Sequence, residues 1–130
     1  MPRFVVLEHT GAPDDPVGCH LDLLLEDGEA CRTWRLDSLP SLNGPSRPAT
    51  PLPAHRLVWL EREAAAVSGG RGWAKRVVGG HYTGQLPLHP DETVFVSLHG
   101  MAPLGFPSPV GLLIKADSCQ LITPPAGPPP

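Results

Sequence analysis

The chain has 130 residues, 18 of them proline and 14 glycine, a share close to that at which low-complexity disorder is suspected. Leu, Val, Ile and Phe together also supply about a quarter of the chain, more than a disordered polymer carries, so a single folded core with much turn and loop is expected. Ten basic against thirteen acidic side chains give a net charge of −3, which excludes a global positive field, and no apolar run approaches the roughly 18 residues of a membrane span.

In chain order, Arg3 to His9 reads as a β-branched strand. The turn formers Thr10-Gly11-Ala12-Pro13-Asp14-Asp15-Pro16 make a loop. Residues His20 to Glu26 and Ala30 to Leu36 flank Asp27-Gly28, a strong hairpin signal. Five prolines between Pro40 and Pro53 predict a surface loop, because proline has no N–H to give a ladder. A strand follows over His55 to Arg62, then one or two helical turns over Glu61 to Val67. Trp73 to Val78 is a further strand, entering a glycine-rich turn from Gly79 to Gly84. Thr93 to Leu98 and Val110 to Lys115 are strands, with Cys119 to Ile122 a short partner. The expected fold is all-β: a compact, mostly antiparallel β-barrel or sandwich of about seven to eight short strands with little helix. Residues 1–123 form its single domain and 124–130 a proline-rich flexible tail.

Cys19, Cys31 and Cys119 are odd in number and lack CxxC spacing, which argues against a disulfide framework or structural zinc and for a reducing, cytoplasmic setting. A monomer with no membrane association is expected. Strand alternation puts His20, Asp22, Leu24 and Glu26 on one face of their strand and Leu21, Leu23 and Leu25 on the other, the expected core face. An imidazole and a carboxylate then stand roughly 7 Å apart on the more polar side. With His9 as a third donor they make a two-histidine, one-carboxylate set of the kind that holds a catalytic divalent metal. The competing reading is a solvated polar edge. Cys19 is expected to point to the opposite face, as a small core residue. His55 opens an apolar segment and is a candidate for a pocket rim. Arg71-Gly72-Trp73-Ala74-Lys75-Arg76 mixes an aromatic with cations, as nucleic-acid surfaces do, although solvated loop charges explain it as well.

The segments Arg3-Phe4-Val5-Val6-Leu7-Glu8-His9, His20-Leu21-Asp22, Leu25-Glu26-Asp27-Gly28 with Trp34, Pro53 to Trp59 and Val78 to Gly84 resemble, in that order, the 3′-phosphoesterase domain of bacterial DNA ligase D. That family reads as an FVVQEH-like strand, HYDFRLE, a glycine turn, SWAVP, EDHPLEY and IPEGxYGxG. The resemblance covers roughly residues 2 to 98. It implies a β-barrel enzyme of DNA repair that removes a 3′-phosphate or a 3′-ribonucleotide during end joining, alongside repair ligase and polymerase proteins. It implies a divalent metal, manganese, held by His9, His20 and Asp22. It places His55 as the catalytic histidine at the phosphate, and Arg56 and Tyr82 as substrate-binding residues.

The chain departs from the family in several places. The family's phosphate-clamping arginine, two residues past the aspartate, is Leu24 here, and an apolar side chain makes no bidentate contact. Arg3, Arg32, Arg35 and Arg56 are candidates to replace it. The family tyrosine four residues past the phosphate-contacting histidine is Trp59. The loop from His9 to His20 is five residues longer and must bulge to keep the ligands together. The alternative readings are a catalytically impaired relic that binds metal or nucleic-acid ends, and a protein-interaction module.

Overall fold

The computed structural model describes residues 1–124, so the expected tail lies outside the described residues except for Pro124. Nine strands are present: β1 (Arg3–Thr10), β2 (Cys19–Asp27), β3 (Ala30–Leu36), β4 (Arg47–Arg56), β5 (Ala64–Ala66), β6 (Trp73–Thr83), β7 (Val94–His99), β8 (Val110–Lys115) and β9 (Ser118–Ile122). Neighbours run β1-β2-β3-β4-β9-β8-β7-β6, and β6 pairs back onto β1, closing an antiparallel ring. The all-β expectation is met. β5 lies on the edge of β6 beyond the ring.

The inward residues of the ring form the main core, including Phe4, Val6, Leu23, Leu25, Trp34, Leu36, Val96, Leu98 and Leu112. A second buried layer covers the opposite face of β1 to β3: Val5, Leu7, Leu24 and Cys31 pack with Leu60 and Ala74, and Leu57, Trp59 and Val67 lean against them. The face carrying His20, Asp22 and Leu24 is therefore as dry as the leucine face. Leu24 has no exposed surface, worth roughly 2 kcal/mol for a fully buried leucine. Leu24 is thus a wall of the second layer.

Four segments differ from the sequence expectation. β4 is a strand although Pro48, Pro51 and Pro53 lie in it. Beyond Pro48 it keeps only β3 as a partner, because its pairing with β9 ends at Arg47 and Pro48. Pro51 and Pro53 are two residues apart, so both lack a donor on the same edge, the free one, where proline is tolerated. The expected strand over His55 to Arg62 is instead the end of β4 followed by a single 3₁₀ turn, Leu57–Leu60. Residues Ala64 to Ala66, expected as helix, pair with β6, and the sheet edge overrides the helix preference of alanine.

The glycine-rich segment expected as a turn after Val78 continues β6. There β6 passes so close to the end of β7 that a Cβ on Gly80 would lie 2.0 Å from the His99 carbonyl oxygen. The glycines at this point allow two backbones to touch.

Candidate metal centre and its cleft

β1 and β2 are in direct register, with His9 opposite His20 and Leu7 opposite Asp22. The long loop between them does not disturb this, because the ladder runs out to Thr10 and Cys19 and is extended by the Gly11 N–H donating to the Gly18 carbonyl at 3.1 Å. His9, His20 and Asp22 are all buried, and one donor atom from each lies within 4.8 Å of the others. The two imidazoles meet edge to face with centroids 4.7 Å apart. This buried group can hold a metal ion.

The hydrogen bonds fix which lone pairs face inward. His9 Nε2 lies 2.7 Å from the Arg71 carbonyl oxygen, which can only accept, so Nε2 carries a proton and, in the neutral ring, Nδ1 offers its lone pair. That Nδ1 is 3.2 Å from Asp22 Oδ2. His20 Nδ1 is 2.8 Å from Asp15 Oδ2, and this bond, the largest cause, holds the Asp15 carboxyl below its ordinary value, so Asp15 is the acceptor. His20 Nε2 is left facing Asp22 Oδ1 at 3.2 Å. Both of those atoms are buried without a hydrogen-bond partner.

With both rings neutral, two imidazole lone pairs and a carboxylate converge, an arrangement that a cation between them would satisfy. Asp15 and the Arg71 carbonyl orient the imidazoles from behind, as second partners of metal-ligating histidines do. The donor set fits a divalent cation.

The loop that brings the Arg71 carbonyl to His9 is seated by Gly72. A Cβ there would fall 2.0 Å from the Thr10 carbonyl oxygen, and its φ of +99° is a conformation other residues rarely adopt. Arg71 folds back on the same loop, its Nε and Nη2 donating to the Ser68 carbonyl and hydroxyl at 2.7 and 2.9 Å. Arg76 fastens the 3₁₀ turn to β6 through the Leu60 carbonyl.

The metal group opens onto a cleft of about 690 Å³. His9, Asp14, Asp22, Arg35, His55, Arg56, Trp59, Arg62 and Arg71 line it, with Leu52, Pro53, Ala54, Ala66 and Val67 forming its apolar side. A smaller hollow of about 30 Å³ is shared by His9, Asp22, His55, Trp59, Leu7, Val67 and Ala74. Such a space has room for a water or an ion.

His55 lines both the cleft and the hollow beside His9 and Asp22. Its Nδ1 donates to the Pro53 carbonyl at 2.9 Å, leaving Nε2 for other work. Arg56 is exposed on the same cleft.

Tyr82 does not reach the cleft. It is buried in the main core and its hydroxyl donates to the Glu26 carbonyl, bracing β6 against β2. Cys19 is exposed rather than part of the core, and all three cysteines are free. Of the arginines named as replacements for the missing clamp, Arg3 is held by Glu26 and Arg32 by the Pro87 carbonyl. Arg35 and Arg56 reach the cleft. His81 and His99 stack on each other with centroids 4.5 Å apart.

The sequence reading missed Asp15 as the brace of His20, although it sits in the turn-rich loop five residues upstream. It also missed the Arg71 carbonyl, which no side-chain pattern announces, and Asp14 and Arg62. No helix among the described residues is long and apolar enough to cross a membrane. No protein-family model matches the chain, and no curated protein does.

Proposed function

We propose that the protein is a divalent-metal-dependent phosphoesterase that acts on nucleic-acid 3′ ends, removing a 3′-phosphate or a 3′-ribonucleotide in DNA repair. The observation that carries this reading is the convergence of His9 Nδ1, His20 Nε2 and the Asp22 carboxylate at the wall of an arginine-lined cleft. Manganese is the cation we assign, from the resemblance of the His9, His20 and Asp22 segments to the ligase D phosphoesterase domain. When bound, such a cation supplies Lewis-acid polarisation of a phosphoryl oxygen and an acidified water.

The chain's own residues do the rest. In hydrolysis a water oxygen bonds to phosphorus, the bond from phosphorus to O3′ breaks, and the departing oxygen takes up a proton. His55 stands at the shared hollow with Nε2 free to hold or deliver that proton. Arg35, Arg56, Arg62 and Arg71 surround the cleft with the positive charge that a phosphate needs. Trp59 and the apolar residues beside it give a sugar or base a dry surface to lie on, and Arg62 stacks over the indole at 5.8 Å.

The test is manganese titration followed by electron paramagnetic resonance, then incubation with oligonucleotides ending in a 3′-phosphate or a single 3′-ribonucleotide. Saturable binding at micromolar metal with loss of the end group, slowed on the order of a hundredfold or more by His55→Ala, is the expected result. Absence of saturable binding, or binding with no end processing, overturns the reading.

A further inference from the structure

Arg35 and Asp14 together form a feature that the metal group does not explain. Arg35 on β3 is the register partner of Asp22 on β2, and directly opposed residues on antiparallel strands project to the same face. Arg35 therefore stands beside the metal carboxylate, in the cleft wall. Its Nε is buried without a partner, which does not hold for any other arginine of the cleft.

Its two terminal nitrogens are both taken by one carboxylate: Nη1 lies 3.2 Å from Asp14 Oδ2 and Nη2 3.4 Å from Asp14 Oδ1. That fork is the geometry in which guanidinium grips a carboxylate or a phosphate with two parallel bonds. Asp14 belongs to the long loop between β1 and β2, and its side chain is 69% exposed. An exposed ion pair of this kind is weak and easily exchanged.

We propose that Arg35 is the oxyanion-binding residue of the cleft and that Asp14 is its built-in competitor, occupying the place of two oxygens of a terminal phosphate until that phosphate displaces it. The proposal rests on the reading of the cleft as a phosphoesterase site and adds the group that grips the phosphate and the loop that masks it. The ligand class is a phosphate monoester end or free inorganic phosphate, which share the two oxygens the fork requires. Asp15, the next residue, is tied to His20, so release of Asp14 need not move the metal group. Masking by a weak exposed pair lowers phosphate affinity about two- to fivefold relative to a bare Arg35.

The experiment titrates inorganic phosphate into chelator-treated full-length protein, read by calorimetry and by amide shifts of the Asp14 loop. Asp14→Asn is expected to tighten phosphate binding two- to fivefold. Arg35→Lys keeps the charge but loses the fork, and is expected to weaken binding about tenfold; Arg35→Met is expected to abolish it. Arg47→Gln, an exposed arginine paired with Asp37 outside the cleft, leaves phosphate binding unchanged.

Equal phosphate affinity in the wild type and Arg35→Lys, or no tightening in Asp14→Asn, overturns the proposal. Because Asp14 is exposed, its variant keeps the test valid if an Arg35 variant fails to fold. Manganese affinity measured in parallel separates the two readings. Loss of manganese binding with the phosphate pattern intact defeats the phosphoesterase reading alone, and manganese binding with no phosphate pattern defeats this one alone.

Discussion

Replacing Asp22 by asparagine tests the metal centre through stability alone. Asp22 lies 3.2 Å from an inward-facing nitrogen of each histidine, and its side chain is 4% exposed. The outer nitrogens are committed to Arg71 and Asp15, so with neutral rings and no metal the carboxylate meets two lone pairs without a donor. A buried polar group left unsatisfied costs about 1–3 kcal/mol. Cation binding removes that conflict. With free manganese at a hundredfold its Kd, mass action adds about 2.7 kcal/mol to the folded state. An unfolding entropy near 2.1 cal/mol/K per residue over a chain of this length converts each kcal/mol into about 4 °C, so Tm rises by about 10 °C.

In Asp22→Asn the amide can donate to one imidazole. The metal-free Tm is therefore expected to stay level or rise by several degrees, while the manganese-induced rise falls below about 2 °C. Differential scanning calorimetry after chelation, with and without added manganese, reads both numbers. If Asp22→Asn loses more than about 1 kcal/mol without metal, a proton already bridges the acceptors and the argument from opposed lone pairs fails. An equal manganese shift in both proteins refutes the ligand role of Asp22.

Asp15→Asn keeps the size of the brace on His20 but weakens its hold on the ring, and manganese affinity is expected to fall about 10- to 100-fold, measurable by paramagnetic titration. Gly72→Ala drives a Cβ into the Thr10 carbonyl; denaturant unfolding should show a loss on the order of 2 kcal/mol, together with weaker manganese binding as the Arg71 carbonyl leaves His9. In the native protein a thiol reagent should modify Cys19 alone, because burial raises the Cys31 thiol to about 11 and the Cys119 thiol to about 12; after unfolding all three should react. Glu26 is held below its ordinary 4.5, chiefly by its hydrogen bond with Arg3. Its contribution, at most about 1 kcal/mol for a pair this exposed, is complete above that value and disappears as the pH falls through the depressed one. Stability curves of the wild type and Glu26→Gln should converge in acid.

What the sequence disclosed follows from how local each signal is. The strands around Asp27-Gly28, and the partnership of His20 with Asp22, depend only on alternation and a two-residue turn, and both are found in the structure. His9 joins them because a hairpin places strand ends in register whatever the intervening loop does. β4 was hidden because proline is excluded from a ladder only when both edges are paired, and which edge is free is decided by β9, some seventy residues later. The continuation of β6 through Gly79 and Gly80 was hidden for the same kind of reason, since those glycines answer to the backbone of β7 and not to a turn. The burial of Leu24 depends on the 3₁₀ turn that covers it. The brace of His9 is a carbonyl, and a carbonyl is present at every residue.

The net charge of −3 would oppose a polyanionic ligand if charge were spread evenly over the surface. It is not. Outside the cleft, Glu26 and Glu61 are taken up by Arg3, Asp37 by Arg47 and Glu63 by Arg76. The cleft itself has four arginines against two aspartates, and one of those aspartates faces the two histidines. A field of this kind acts within a Debye length of about 8 Å at physiological salt, so a chain end presented to the cleft meets the local excess and not the total. The other aspartate, Asp14, is the one that neutralises Arg35. Asp14 is also the more exposed of the two aspartates, its side chain 69% exposed against 4% for Asp22, so it is the one whose displacement by a phosphate would free the Arg35 guanidinium.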